Sequence, residues 1–169
     1  MATNEPLRGE THQGFSDDSS WARGQSWAVY GLALCYHYTH EEAILPLFER
    51  VTKYFIDHLP EDYVPYWDLI FSDGSCEPRD TSAAAIAACG ILEMEKYYHN
   101  QEFLDIAKKM MSSLSEKYTT VDYLQSNGII KDGMYSRKHG HKSECTSWGD
   151  YFYLEALMRM KKSDWKIYW

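Results

Sequence analysis

Positive charge is scarce in this sequence: 17 Lys and Arg stand against 25 Asp and Glu among 169 residues, a formal net charge of −8. Nucleic acids and anionic membranes recruit clustered cations, so this balance tells against both as partners. An anionic ligand would have to be met by a local basic spot. Long apolar runs are also missing, and none approaches the length that spans a bilayer. The opening stretch from Met1 to Gly9 lacks the basic-then-apolar order of a secretory leader, so the expected location is the cytoplasm. Cysteine is sparse. Cys35, Cys76, Cys89 and Cys145 lie far apart with no Cys-x-x-Cys, which indicates neither a zinc site nor a redox pair. Cys35 and Cys89 sit in helical apolar context and are expected to be core thiols.

What remains is an ordinary helical composition rich in aromatic residues, long enough for one sizeable core and so for a single domain over 1–169. Residues 1–19 are polar with glycine and proline, and read as an extended lead-in. From Ser20 to about His40, Trp27, Tyr30, Leu34 and Tyr38 with Val29, Ala33 and Tyr36 make a helix apolar around most of its circumference, the mark of a buried one. From about Glu41 to His58 a single stripe of Ala43, Leu47, Val51, Tyr54 and Phe55 predicts a helix with one face in water. Pro60, Pro65 and Pro78 make Leu59 to Arg79 a structured loop whose aromatic residues pack onto something. Asp80 or Thr81 then caps a helix of small residues, Ala83 to Gly90, which lets neighbouring backbones approach closely. Another one-sided helix, about Gln101 to Tyr118, carries Phe103, Ile106, Met110 and Leu114. Between Asn127-Gly128 and Asp132-Gly133, Ile129-Ile130 signals a short β-ribbon. Ser147 opens a last apolar helix, with Asp150 as a capping-box partner.

Three mainly apolar helices thus begin about sixty residues apart, two of them followed by an amphipathic helix. Inner and outer helices in alternation predict an all-α double ring, in which each hairpin buries its apolar side only against its neighbours.

The chemistry concentrates where the first helix starts. Ser19 or Ser20 can cap it, Asp17 and Asp18 suit the positive end of its dipole, and Arg23 and Trp27 share one face a turn apart. A guanidinium beside an indole is often a plain surface stack; it also suits a sugar acid, gripping the carboxylate while the ring packs on C–H faces. Ser136-Arg137-Lys138-His139-Gly140-His141-Lys142-Ser143 is the densest positive patch, and a solvated basic loop is the plain reading. His139 and His141 without an adjoining carboxylate or thiolate set are weak ground for a metal.

The segment His12-Gln13-Gly14-Phe15-Ser16-Asp17-Asp18-Ser19-Ser20-Trp21-Ala22-Arg23-Gly24-Gln25-Ser26-Trp27 resembles the signature of unsaturated glucuronyl hydrolases. Pro78-Arg79-Asp80-Thr81-Ser82-Ala83-Ala84-Ala85-Ile86-Ala87 and Glu144-Cys145-Thr146-Ser147-Trp148-Gly149-Asp150-Tyr151-Phe152-Tyr153-Leu154-Glu155-Ala156-Leu157 resemble two further segments of that family, in the same order. The tail of each also fits the related rhamnogalacturonyl hydrolases, which leaves an unsaturated rhamnogalacturonyl hydrolase as an alternative reading. The resemblance implies an α/α toroid of helical hairpins, the six-hairpin glycosidase type, of which this chain supplies about half a ring. It implies hydration of the C4=C5 bond of a terminal unsaturated uronic acid in lyase-generated glycosaminoglycan oligosaccharides, with no metal or organic cofactor. Gln13, Arg23 and Trp27 are then expected to bind substrate. In some members a loop in the region of Ser136, Arg137, Lys142 and Ser143 receives a sulfate.

The family's catalytic acid and its neighbouring aspartate lie upstream of the His12 segment, so no catalytic residue carries over. Asp17, Asp18, Asp80 and Asp150 read as structural helix-start aspartates. A half ring leaves apolar inner faces wet, so self-association or a missing N-terminal half is expected; an inactive or purely sugar-binding half-barrel is the alternative.

Overall fold

The computed structural model describes residues 8–162 and 164–167; the first seven residues of the expected lead-in lie outside them. Among the described residues five α-helices follow one another: α1 Ala22–Thr39, α2 Ile44–Asp57, α3 Thr81–Met94, α4 Gln101–Lys117 and α5 Ser147–Lys161. The central helix α3 packs against α1 on one side and α5 on the other, while α2 backs α1 and α4 backs α3. The expected alternation of inner and outer helices is therefore present.

Small side chains make this arrangement possible. Every residue from Thr81 to Ile91 is buried, and a Cβ at Gly90 would come 2.7 Å from the Cα of Tyr30 on α1. The two inner helices touch backbone to backbone there. The outer helices bury one stripe each. On α4 it includes Phe103, Met110 and Leu114, as expected, but on α2 it runs through Phe48, Thr52 and Phe55, leaving Leu47 and Tyr54 exposed. The burial is thus set one position round from the expected stripe, because Thr52, polar by type, faces the core with its neighbours Phe48 and Phe55.

Other local expectations are overturned. Neither Ser19 nor Ser20 caps α1: Trp21 takes the N-cap position without a side-chain bond, and the Ala22 N–H donates instead to the Trp67 carbonyl at 3.1 Å. The loop from Leu59 to Arg79 supplies what the serines would have given, and Asp17 and Asp18 fall outside the helix's first turn. Asp80 occupies the α3 N-cap with no side-chain capping bond. Thr146, rather than Ser147, caps α5 by accepting from the Gly149 N–H at 3.2 Å. Asp150 does not reach back to that cap, because its Oδ1 accepts the N–H groups of Ile129 and Ile130 at 2.9 and 3.0 Å. Those donors would have served the expected ribbon; among the described residues the region holds only isolated bridges, Thr119 with Ile130 and Gly133 with Glu144. Cys89 is buried as expected, but Cys35 is exposed, on the same stretch of α1 as exposed Trp27 and Tyr38.

A charged cluster that the sequence reading did not anticipate closes the C-terminal ends of the inner helices. Glu93, fully buried on α3, accepts hydrogen bonds from Arg159 of α5, from Lys96 at 2.7 Å and pairs with His37 of α1 at 2.9 Å. Arg159 Nε also donates to Glu155 at 2.8 Å, and Tyr30 Oη donates to the same carboxylate at 3.1 Å. Burial works to raise the pKa of Glu93, yet the hydrogen bonds and charges of Lys96 and Arg159 hold it below the ordinary 4.5.

Two tests follow from this packing. Gly90→Ala, which in an open helix would stabilise by up to about 1 kcal/mol, should here destabilise by about 1–3 kcal/mol in urea unfolding, because the added methyl meets the Tyr30 backbone. A carboxylate whose folded-state pKa is depressed stabilises the fold above its unfolded-state pKa and ceases to as pH falls through the folded value. Stability should therefore decline on acidification below about pH 4.5, and Glu93→Gln should flatten that acid slope while lowering stability at neutral pH.

Candidate functional site

At the other end of the inner helices the second residue of each meets the others: Arg23 of α1, Ser82 of α3 and Trp148 of α5. Ser82 Oγ accepts from Arg23 Nη1 and from Trp148 Nε1, each at 3.2 Å, and donates to Asp80 Oδ1 at 2.5 Å. Arg23 Nη2 donates to the Tyr135 carbonyl at 2.6 Å, and its guanidinium lies 4.8 Å from the Trp21 ring and 5.1 Å from the Trp148 ring. Asp80 Oδ2 stands 3.3 Å from Arg23 Nη1, and neither side chain sees more than a trace of solvent. Burial lowers the Arg23 pKa and raises that of Asp80, and in each case the partner's charge opposes the shift. The guanidinium is thus a slotted, ion-paired group, not the open fork expected from the sequence.

The lead-in reaches the site because a buried carboxylate anchors it. Asp68 Oδ2 accepts from the Phe15 N–H and from Ser19 Oγ, both at 2.8 Å, while Thr11 and Asp17 close the turn before it. Gln13 is thereby laid against the inner helices, with a buried Oε1 that has no hydrogen-bond partner. A buried acceptor left in that state costs free energy until a donor arrives. Trp27, one turn further along α1, is 37% exposed and rests its edge against Phe152 with centroids 5.1 Å apart.

These groups line one hollow of about 200 Å³: Gln13, Trp21, Arg23, Trp27, Tyr135 and Trp148. All three substrate-binding residues expected from the sequence are brought together there. An adjoining hollow of about 260 Å³, bounded by His12, Gln13, Tyr135, Ser136, His139 and His141, shares Gln13 and Tyr135 with it. A larger one of about 420 Å³ lies at the opposite end, among Lys96, Lys108, Lys161 and Lys162, away from every motif that carries the resemblance.

The basic loop does not converge as a unit. Ser136 is buried, with Oγ 2.6 Å from His139 Nδ1, and faces the adjoining hollow. Arg137 donates to Glu77 at 3.1 Å, and that bond holds the Glu77 carboxyl below its usual range. Lys142 and Ser143 are exposed, Ser143 beside a different hollow with Thr120 and Tyr123. Among the described residues no three His, Cys, Asp or Glu side chains gather as a metal site would require.

Trp21, Ser82, Tyr135 and Trp148 carry no role in the sequence reading, yet they build the slot. Trp21, Ser82 and Trp148 were within reach, since each lies inside a motif that resembles the family, next to or opposite a helix start. Tyr135 gives no such signal, as it contributes a backbone carbonyl that any residue could supply.

The inner helices, whose starts gather an amide, a guanidinium and indoles around a shallow hollow, form part of an α/α toroid. The chain matches Glycosyl Hydrolase Family 88 over residues 3–163 and belongs to that family. It is 47% identical to the unsaturated chondroitin disaccharide hydrolase of Streptococcus agalactiae, over 99% of this chain and 43% of that protein. It is 48% identical to the protein of the same description from Streptococcus pneumoniae, with the same coverage. A crystal structure of an aspartate-to-asparagine mutant of the S. agalactiae unsaturated glucuronyl hydrolase, complexed with dGlcA-GalNAc6S, superposes with a TM-score of 0.89 at 47% identity, covering 99% of this chain and 46% of that one. The chain spans less than half the length of the relatives it matches.

Proposed function

We propose that this chain is the substrate-binding half of an unsaturated glucuronyl hydrolase, acting on the unsaturated uronic acid at the end of glycosaminoglycan oligosaccharides. The observation that carries this is the convergence of Gln13, Arg23 and Trp27 on one hollow with Tyr135 and Trp148. The starts of α1, α3 and α5 meet around it, and their dipoles add positive potential suited to a carboxylate in a protein that is otherwise acidic. Trp27 offers an exposed ring for the C–H face of the sugar, and the Gln13 amide, lining the same hollow, a hydrogen-bonding partner for a hydroxyl.

In this reading an aspartic acid outside the chain protonates the C4=C5 alkene, water adds to the adjacent carbon, and the hemiketal opens to release the second sugar. Such a donor must stay protonated near neutral pH, which an aromatic-walled cleft favours by penalising the charged form. No residue of this chain is assigned that step. A sulfate on the second sugar would be met by Ser136 at the adjoining hollow and by the exposed Lys142 and Ser143 of the same loop, with Arg137 held by Glu77. Exposed Trp27 on α1 and exposed Tyr151 and Leu154 on α5 support joining to a missing N-terminal half or to a second copy. Four free cysteines fit a reducing compartment such as the cytoplasm.

The test joins the chain to the upstream half its relatives carry and measures turnover of unsaturated chondroitin disaccharide. Gln13→Ala and Trp27→Ala should each lower kcat/KM by roughly tenfold or more, the loss of one hydrogen bond or one stacking face. Unchanged values would refute the assignment, and faster turnover of an unsaturated rhamnogalacturonan disaccharide would move the protein to that substrate.

A further inference from the structure

Asp80 lies at the start of α3, where a carboxylate would ordinarily be read as a helix-start stabiliser. Three observations separate it from that role. Its side chain makes no capping hydrogen bond of ordinary geometry, and the nearby Ala83 N–H is a lesser influence on its charge than burial, Arg23 and Ser82. Its Oδ1 takes the Ser82 hydroxyl at 2.5 Å and the Met134 N–H at 3.4 Å, while its Oδ2 has no hydrogen bond and instead faces Arg23 Nη1 at 3.3 Å. It is fully buried, so this carboxylate is kept out of water for the sake of one cation and one hydroxyl.

The geometry is that of a bracket around a flat ion. The rings of Trp21 and Trp148 lie 4.8 and 5.1 Å from the guanidinium carbon, the Tyr135 carbonyl holds Nη2, and Asp80 with Ser82 holds Nη1. Of the five N–H donors of an arginine this leaves Nε–H and one Nη2 hydrogen without a partner among the described residues, on a group that lines the hollow. We propose that Asp80 is a positioning residue: by fixing Arg23 through the Nη1 contact and the Ser82 hydroxyl, it sets which edge of the guanidinium meets a bound uronate. This deepens the functional reading above and rests on it for the identity of the ligand.

The alternative is that Asp80 merely neutralises Arg23, and the two accounts differ in sign. A neutralising carboxylate, once removed, frees positive charge and tightens anion binding; a positioning one, once removed, lets the guanidinium turn and weakens it. The experiment uses the whole chain and its Asp80→Asn and Ser82→Ala variants. Each is followed by the arginine side-chain resonances of Arg23 in NMR and by titration with glucuronate. The proposal expects hydrogen exchange at the Arg23 guanidinium to quicken about tenfold or more in Asp80→Asn while the helical spectrum is kept, and glucuronate binding to weaken by about tenfold. Loss of a stabilising helix-start charge alone would lower the melting temperature without changing that exchange.

Unaltered guanidinium exchange, or tighter glucuronate binding, in Asp80→Asn overturns the proposal. If Asp80→Asn does not fold, the uncharged Ser82→Ala decides: faster exchange and several-fold weaker binding support the bracket, and no change in either refutes it. A wild-type chain with a protected Arg23 but no glucuronate binding would strike at the uronate reading of the hollow, leaving the exchange comparison to judge Asp80 by itself.

Discussion

The close approach of α1 to α3 is the constraint on which the remainder depends. Gly90 and the alanines of α3 bring its axis against α1, with no space for a Cβ beside Tyr30. Only at that separation can Arg23, on the second position of α1, reach Ser82 and Asp80 at the start of α3. The ring segment and its binding end are therefore one packing solution. A sequence that filled the helix with larger residues would push the guanidinium out of its slot as well as loosening the core.

The inner helices are pinned at both ends by buried charge, with different consequences. At their C-terminal ends Glu93, Arg159, Glu155 and Lys96 pair among themselves, and Tyr30 gives its hydroxyl to Glu155, whose charge together with burial pushes the Tyr30 pKa well up. Those groups pair in ion contacts and belong to the fold, with Glu155 Oε2 and Arg159 Nη2 left without a hydrogen bond. At the N-terminal ends the incompletely paired residues, Gln13 and Arg23, instead line a hollow beside an exposed indole. Unmet hydrogen-bonding capacity next to aromatic surface is what a sugar can use, and it occurs at the end where three helix dipoles point their positive poles.

Much of this was legible in the residues. Periodicity marked the inner and outer helices because full-circumference apolarity and a single stripe are different patterns, and the run of small residues announced the α1–α3 contact. The family resemblance picked out Gln13, Arg23 and Trp27, which the fold then gathers. Capping was misread for a common reason. Ser19, Asp80 and Asp150 are good local caps, but each found a distant partner in Asp68, Arg23 or the Ile129–Ile130 backbone, and tertiary bonds displaced local ones. Trp21 and Trp148 stayed hidden because two rings from different helix starts meeting one cation is a three-body arrangement that spacing along a chain does not encode.

The most direct test of the account is a crystal structure of the chain, alone or joined to an upstream half, soaked with an unsaturated chondroitin disaccharide. The account predicts the uronate ring against Trp27 with a hydroxyl hydrogen-bonded to the Gln13 amide and its carboxylate at the edge of Arg23. Density instead in the lysine-lined hollow at the far end of α3 and α5, with the Gln13 pocket empty, would contradict it.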